Sequence, residues 1–179
     1  NHYERLNSYI KDAKEKGAEI IQINPAHEDF DQQEHHKIPP TIILNVTDDM
    51  EVMQNEIFGP IFPVKKYKNF SETIKYINKN PKALALYYFG KNKNEINDLL
   101  NKTTSGQIVI NEVMFQFSMH DLPFGGVGPS GSGAYHGKDG YLNFSHKRAV
   151  LKGQNVLNAG KLVSAPYSEK TEKNIKMLK

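Results

Sequence analysis

The sequence predicts an α/β fold, a mostly parallel sheet flanked by helices, on three observations. Apolar runs alternate with amphipathic stretches from Pro60 onward, residues 83–89 are apolar throughout, and the loops between the segments are short and carry helix-stopping residues. Short loops of this kind imply right-handed crossovers and a sheet covered on both faces.

In chain order, Tyr3, Leu6, Ile10 and Ala13 recur at helical spacing, Lys14 and Lys16 stand in the last turn, and Gly17 suits a left-handed C-cap. An amphipathic helix is predicted there. Residues 19–23 read as a short strand ended by Asn24-Pro25, and strand character resumes over 41–46 after a polar stretch from His27 to Lys37. No helix fits between these two strands. Asp48 and Glu51 have capping-box spacing, so a short helical turn is expected over 50–55, leading into Glu56-Ile57-Phe58-Gly59-Pro60.

Regular alternation follows, with strand over 61–67, helix over 71–80 stopped by Pro81, and strand over 83–89. Helix over 94–101, stopped by Ser105-Gly106, then gives way to a buried strand over 107–110. After Asn111 come an aromatic and methionine loop, Met114 to Met119, and a glycine-dense stretch from Pro123 to Gly133. A short helix over 134–143, a final strand over 147–151 and a lysine-rich terminal helix over 168–179 complete the expectation.

Composition narrows the function classes. The chain has 179 residues, 38% hydrophobic and 24% charged, which suits one domain with a sizeable core. It has no cysteine, so a disulfide framework, a thiolate zinc site and a cysteine nucleophile within these residues are all excluded. No apolar run approaches the roughly 18–20 residues of a membrane span, and the first residues do not resemble a signal peptide; a cytoplasmic protein is the expectation. The net charge of +3 comes almost wholly from lysine, with Arg5 and Arg148 the only arginines, so no nucleic-acid partner is expected. No Met precedes Asn1, which leaves the completeness of the chain open.

Several motifs carry chemistry only on paper. Gly126-Val127-Gly128-Pro129-Ser130-Gly131 matches the dinucleotide fingerprint literally, but no strand precedes it and the residues near position 150 are apolar rather than acidic. A tight loop whose backbone closely approaches a ligand or another strand is the better reading. Gly137-Lys138 lacks the Ser or Thr of a P-loop, and neither Ser130 nor Ser132 sits in a nucleophile elbow. His27, Asp29, Asp31, Glu34, His35 and His36 cluster in sequence but fit no metal motif, so a solvated loop is expected and no metal. Glu56 stands where a helical turn enters a buried strand. It reads equally as a solvated helix-end charge or as a carboxylate accepting hydrogen bonds from ligand hydroxyls, with Phe58 offering a flat face beside it.

Glu56-Ile57-Phe58-Gly59-Pro60, followed some sixty residues later by Leu122-Pro123-Phe124-Gly125-Gly126-Val127-Gly128 and Ser130-Gly131, resembles the C-terminal part of the aldehyde dehydrogenase superfamily. Tyr135-His136-Gly137-Lys138 and Phe144-Ser145-His146-Lys147-Arg148 resemble its class 3 branch, which includes fatty and coniferyl aldehyde dehydrogenases. The resemblance runs from the first helix through Arg148 and more loosely into the tail.

The resemblance implies an NAD- or NADP-dependent oxidation of an aldehyde to a carboxylic acid through a cysteine thiohemiacetal and thioester. It implies that Glu56 binds the nicotinamide ribose hydroxyls and Phe58 packs against the nicotinamide. Phe124 would line the aldehyde tunnel, and Met114, Phe117 and His136 would be variable pocket positions. The family's catalytic cysteine, general-base glutamate, oxyanion-hole asparagine and cofactor domain all belong to segments upstream of those matched. Residues 1–146 are therefore expected to be part of a catalytic domain, inactive alone, and 147–179 an oligomerisation strand and tail. The partners implied are a small-molecule aldehyde and further copies of the chain, as a dimer or tetramer. Peripheral membrane contact by the tail, with Ile175 and Leu178 as its apolar points, is weaker than a solvated helix. The rival reading is a non-catalytic binding or assembly module that reuses the fold.

Overall fold

The computed structural model describes residues 1–30, 35–153 and 159–177. Its N-terminal half is built on helix α1 (His2–Glu15), whose Leu6, Tyr9 and Ala13 recur on one face and are all buried. The helix ends as its sequence requires. Gly17 adopts φ 89°, and the Ala18 amide reaches back to the Ala13 carbonyl at 2.9 Å, satisfying a carbonyl that the helix end would leave open.

Strands β1 (Glu19–Gln22) and β2 (Thr41–Leu44) pair antiparallel, with Ile20 opposite Ile43, and β2 pairs parallel with β3 (Ile61–Pro63). The short helix α2 (Glu51–Gln54) lies between β2 and β3 in sequence. Leu6, Tyr9, Ala13, Ile43, Met50, Val52 and Ile61 form one continuous apolar cluster between α1, α2 and the sheet. Each large member contributes about 1.5–3 kcal/mol by leaving water.

The second half repeats a helix-on-sheet arrangement. Helices α3 (Phe70–Lys79) and α4 (Lys93–Lys102) start at Asn69 and Asn92, whose side chains accept the amides of Glu72 and Asn94. They cover β4 (Ala85–Tyr88) and β5 (Gln107–Ile110), a parallel pair, through a core of Ile74, Tyr88 and Leu99. Beyond lie a 3-10 turn (Phe115–Ser118), α5 (Gly137–Asn143), α6 (Ala159–Leu162) and α7 (Glu169–Met177).

The α/β class and the parallel pairings agree with the sequence, whereas four details differ. The strands form two sheets, one of three strands and one of two, rather than one sheet covered on both faces. The strand expected over 61–67 stops at Pro63; the Val64 amide still reaches the Ile43 carbonyl at 2.8 Å, and then Lys65 turns aside to Asp48 and the Tyr76 ring. The run 83–89 is not fully buried, because α3 and α4 cover one face of the β4–β5 pair and leave Tyr87 and Phe89 exposed on this chain, while Leu84 is exposed in the bend before β4. Residues 147–151 form no ladder among the described residues; an extended segment needs a partner edge, and here Val150 and Leu151 are 80% and 97% exposed. The tail helix covers 169–177, and Leu178 lies outside the described residues.

Candidate functional site

Glu56, Ile57 and Phe58 connect α2 to β3, and their shape is set by α1 rather than by their neighbours. The Arg5 guanidinium donates to the carbonyl oxygens of Glu56 at 2.9 Å and Ile57 at 2.8 Å. His2 Nε2 lies 2.9 Å from the carbonyl of Phe58. Three consecutive carbonyls are thus tied to two side chains one helical turn apart. Neither His2 nor Arg5 stood out as a site residue in the sequence; the signal was that Arg5 is one of only two arginines and sits near the helix start.

Phe58 carries the consequence. Its backbone is at φ 47°, a left-handed conformation that costs a bulky residue roughly 1–2 kcal/mol, and the residue is 82% exposed. An exposed ring held in an unfavourable conformation gains nothing from packing, which points to use elsewhere. The exposed Glu56 carboxylate lies two residues away on the same tethered segment. An acceptor for hydroxyls and a flat apolar face on one rigid stretch fit a ligand with a sugar and a planar ring. A groove of about 430 Å³ beside Phe58 is lined by His2, Tyr3, Leu6, His36 and Ile38 among others.

The remaining candidates sit on the loops after β5. Phe124 and Tyr135 exchange backbone hydrogen bonds at 3.0 and 2.9 Å, so the helix expected from 134 begins only at Gly137. That bridge gathers four rings: His136 lies 6.1 Å from Phe124, 4.4 Å from Tyr135 and 5.5 Å from His120, centroid to centroid. His136 Nδ1 is 3.1 Å from the Leu122 carbonyl, and because a carbonyl only accepts, Nδ1 carries the hydrogen. Met114 at φ 67° and His136 at φ 88° share the strain of Phe58; half of the six non-glycine residues at positive φ among the described residues are therefore candidate site residues. Met114 and Phe117 share the 3-10 turn, where the Phe117 amide reaches the Met114 carbonyl at 3.3 Å. The structure brings Phe124 to His136 and Met114 to Phe117. None of these four lines the groove beside Phe58.

The glycine stretch is a packed turn. A Cβ on Gly126 would run into the Ser130 carbonyl, and one on Gly106 into the carbonyls of Gly125 and Leu84. Ser130 Oγ accepts the Val127 amide at 2.9 Å, which uses the hydroxyl structurally. Among the described residues no group of three or more His, Asp or Glu is placed to hold a metal ion; Asp31 and Glu34 lie outside them. No described helix is long and apolar enough to cross a membrane.

Comparison with known proteins decides the family. The aldehyde dehydrogenase family pattern matches residues 1–150. The chain belongs to the aldehyde dehydrogenase family. It is 45% identical over 168 residues to a coniferyl aldehyde dehydrogenase of Pseudomonas sp., covering 94% of this chain and 35% of that protein. It is 41% identical over 170 residues to mouse aldehyde dehydrogenase family 3 member A2, covering 94% and 33%. These are class 3-like members. Among solved structures, Staphylococcus aureus AldH in a substrate-bound state superposes with a TM-score of 0.70 at 34% identity, over 99% of this chain and 36% of that one. A betaine aldehyde dehydrogenase variant from the same organism, solved with NAD+, superposes at 0.66 with 29% identity, over 80% and 28%. The chain spans about a third of the length of the curated relatives it matches.

Proposed function

We propose that this chain is part of a class 3-like aldehyde dehydrogenase that oxidises aldehydes to carboxylic acids with NAD or NADP. Residues 1–146 serve the catalytic domain and residues 147–179 serve assembly. Since the 179 residues contain no cysteine, the nucleophile of this chemistry comes from outside them, and the chain alone is inactive. The observation that carries the reading is Phe58: an exposed ring at positive φ, on a segment fixed through three carbonyls, beside the Glu56 carboxylate.

In this reading Glu56 accepts hydrogen bonds from the ribose hydroxyls and Phe58 packs against the planar nicotinamide, so the segment orients the ring for reaction. Bound there, the cofactor supplies the hydride acceptor. Phe124 and His136 form an aromatic wall for the aldehyde, with Met114 and Phe117 as adaptable pocket residues. The NAD+ bound by the betaine aldehyde dehydrogenase relative supports the choice of cofactor class.

The test uses the full-length natural protein that carries this sequence, supplied with NAD+ or NADP+ and aliphatic and aromatic aldehydes. Reduced-cofactor absorbance rising with aldehyde is expected. No reduced cofactor with any aldehyde would overturn the reading and favour a binding or assembly module.

A further inference from the structure

We infer that Arg5, with His2, is a positioning residue that presents Glu56 and Phe58 to the cofactor; the inference rests on the cofactor reading of those two residues. Both guanidinium end nitrogens are fully used. One donates to Tyr9 Oη and the Glu56 carbonyl, each at 2.9 Å, and the other to the Ile57 carbonyl at 2.8 Å and His2 Nδ1 at 3.0 Å. A guanidinium only donates, so Nδ1 of His2 must accept. The imidazole hydrogen therefore sits on Nε2, where it donates to the Phe58 carbonyl at 2.9 Å.

The tautomer of His2 is thus dictated by Arg5, and the two side chains act as one clamp running from α1 across residues 56–58. The Arg5 guanidinium also lies over the Tyr9 ring, 5.0 Å from its centroid, and Tyr9 is buried in the main core. The clamp is anchored on a residue of the main core. Lysine cannot replace it, because an ammonium lacks the planar fork that reaches two successive carbonyls, Tyr9 and His2 at once. Ile57 packs against the main core and the Pro60 carbonyl accepts the Thr41 amide at 2.8 Å, while the clamp is what holds the carbonyls of residues 56–58 themselves.

The clamp touches the carbonyls and not the side chains, so its loss should act through the fraction of molecules whose segment is correctly shaped. Cofactor affinity then falls in proportion to that fraction. In the full-length protein, Arg5→Lys should raise the dissociation constant for NADH or NADPH, read by cofactor fluorescence, about tenfold. KM for the aldehyde and kcat at saturating cofactor should change far less. His2→Ala, an exposed change in the first turn that leaves the core untouched, should raise the same constant by a smaller factor. A purely structural role would lower the melting temperature and leave the dissociation constant of the folded protein unchanged. Cofactor affinity within twofold of the unsubstituted protein in both variants overturns the inference. Absence of cofactor binding by the unsubstituted protein overturns the reading of Glu56 and Phe58 as well, so the two failures are distinguishable.

Discussion

Asp12 Oδ2 of α1 accepts the backbone amide of Glu51 at 2.8 Å, so the first helix caps the second from across the core. Helix α2 has Met50 at its N-cap and no capping side chain of its own. The same carboxylate binds Lys16 at 2.8 Å. Lys16, foremost, and then the Glu51 amide hold the Asp12 carboxyl below its ordinary 3.8, because both favour the charged form. Asp48 is lowered in the same direction by Lys65, and Asp49 by the Thr47 hydroxyl. A depressed folded pKa contributes stability that is complete above the unfolded value and lost as pH falls through the folded one. The melting temperature of the chain should therefore hold steady above the carboxylate range and fall as pH drops below 3.8. Asp12→Ala should lower it at neutral pH and flatten part of that fall. Asp12→Asn, which keeps the acceptor, should lose less.

Phe58→Gly separates stability from function. The ring is mostly exposed, so its removal forfeits little burial, while glycine accepts φ 47° without the roughly 1–2 kcal/mol strain. Glycine's extra freedom in the unfolded chain returns about 0.5–1 kcal/mol. A thermal midpoint unchanged or raised by a few degrees is expected, together with weakened cofactor binding in the full-length protein. A clear drop in midpoint would show that the ring stabilises the fold.

Helices α1, α3 and α4 and most strand centres were legible because each rests on local signals: Leu6 and Ala13 at helical spacing, Gly17 as a left-handed C-cap, and the stops at Pro81 and Ser105-Gly106, whereas α6 (Ala159–Leu162) was not expected. What the sequence could not disclose were choices made between distant residues. Asp48 and Glu51 have capping-box spacing, yet Lys65 takes Asp48 and the Glu51 amide goes to Asp12, thirty-nine positions away. Spacing marked Glu56 and Phe58 as a carboxylate and a ring side by side but left open whether they were more than a solvated end. The clamp from Arg5 spans more than fifty positions and has no local signature. Residues 147–151 read as a strand by composition, but a ladder requires a neighbour that these residues do not find within the described chain.

Two glycines should respond with opposite signs. At Gly126 a Cβ meets the Ser130 carbonyl and the Gly131 amide, both backbone, so Gly126→Ala must push the loop apart at a cost of about 1–3 kcal/mol. Gly140 lies inside α5, where a Cβ would sit 3.4 Å from Tyr135 Cα in ordinary contact. Gly140→Ala should stabilise by up to about 1 kcal/mol through helix propensity. Chemical denaturation of the two single variants checks the contrast, and equal midpoints would refute the packed-turn description of residues 125–133.

The proposed association through residues 147–151 rests on what that segment leaves unsatisfied. Its backbone has no ladder partner among the described residues, and Val150 and Leu151 expose nearly all their surface between the cations Lys147, Arg148 and Lys152. Burying both side chains against another copy would contribute roughly 3–6 kcal/mol before association entropy is charged, enough to matter only if backbone pairing is gained as well. A second chain offering a sheet edge supplies both at once, whereas a flat apolar surface supplies only the first. Sedimentation of the full-length protein should thus show a dimer or tetramer. Val150→Lys with Leu151→Lys should shift it toward monomer, because charged side chains on an edge strand oppose pairing. Association unaffected by the double substitution would place the subunit contact elsewhere on the molecule.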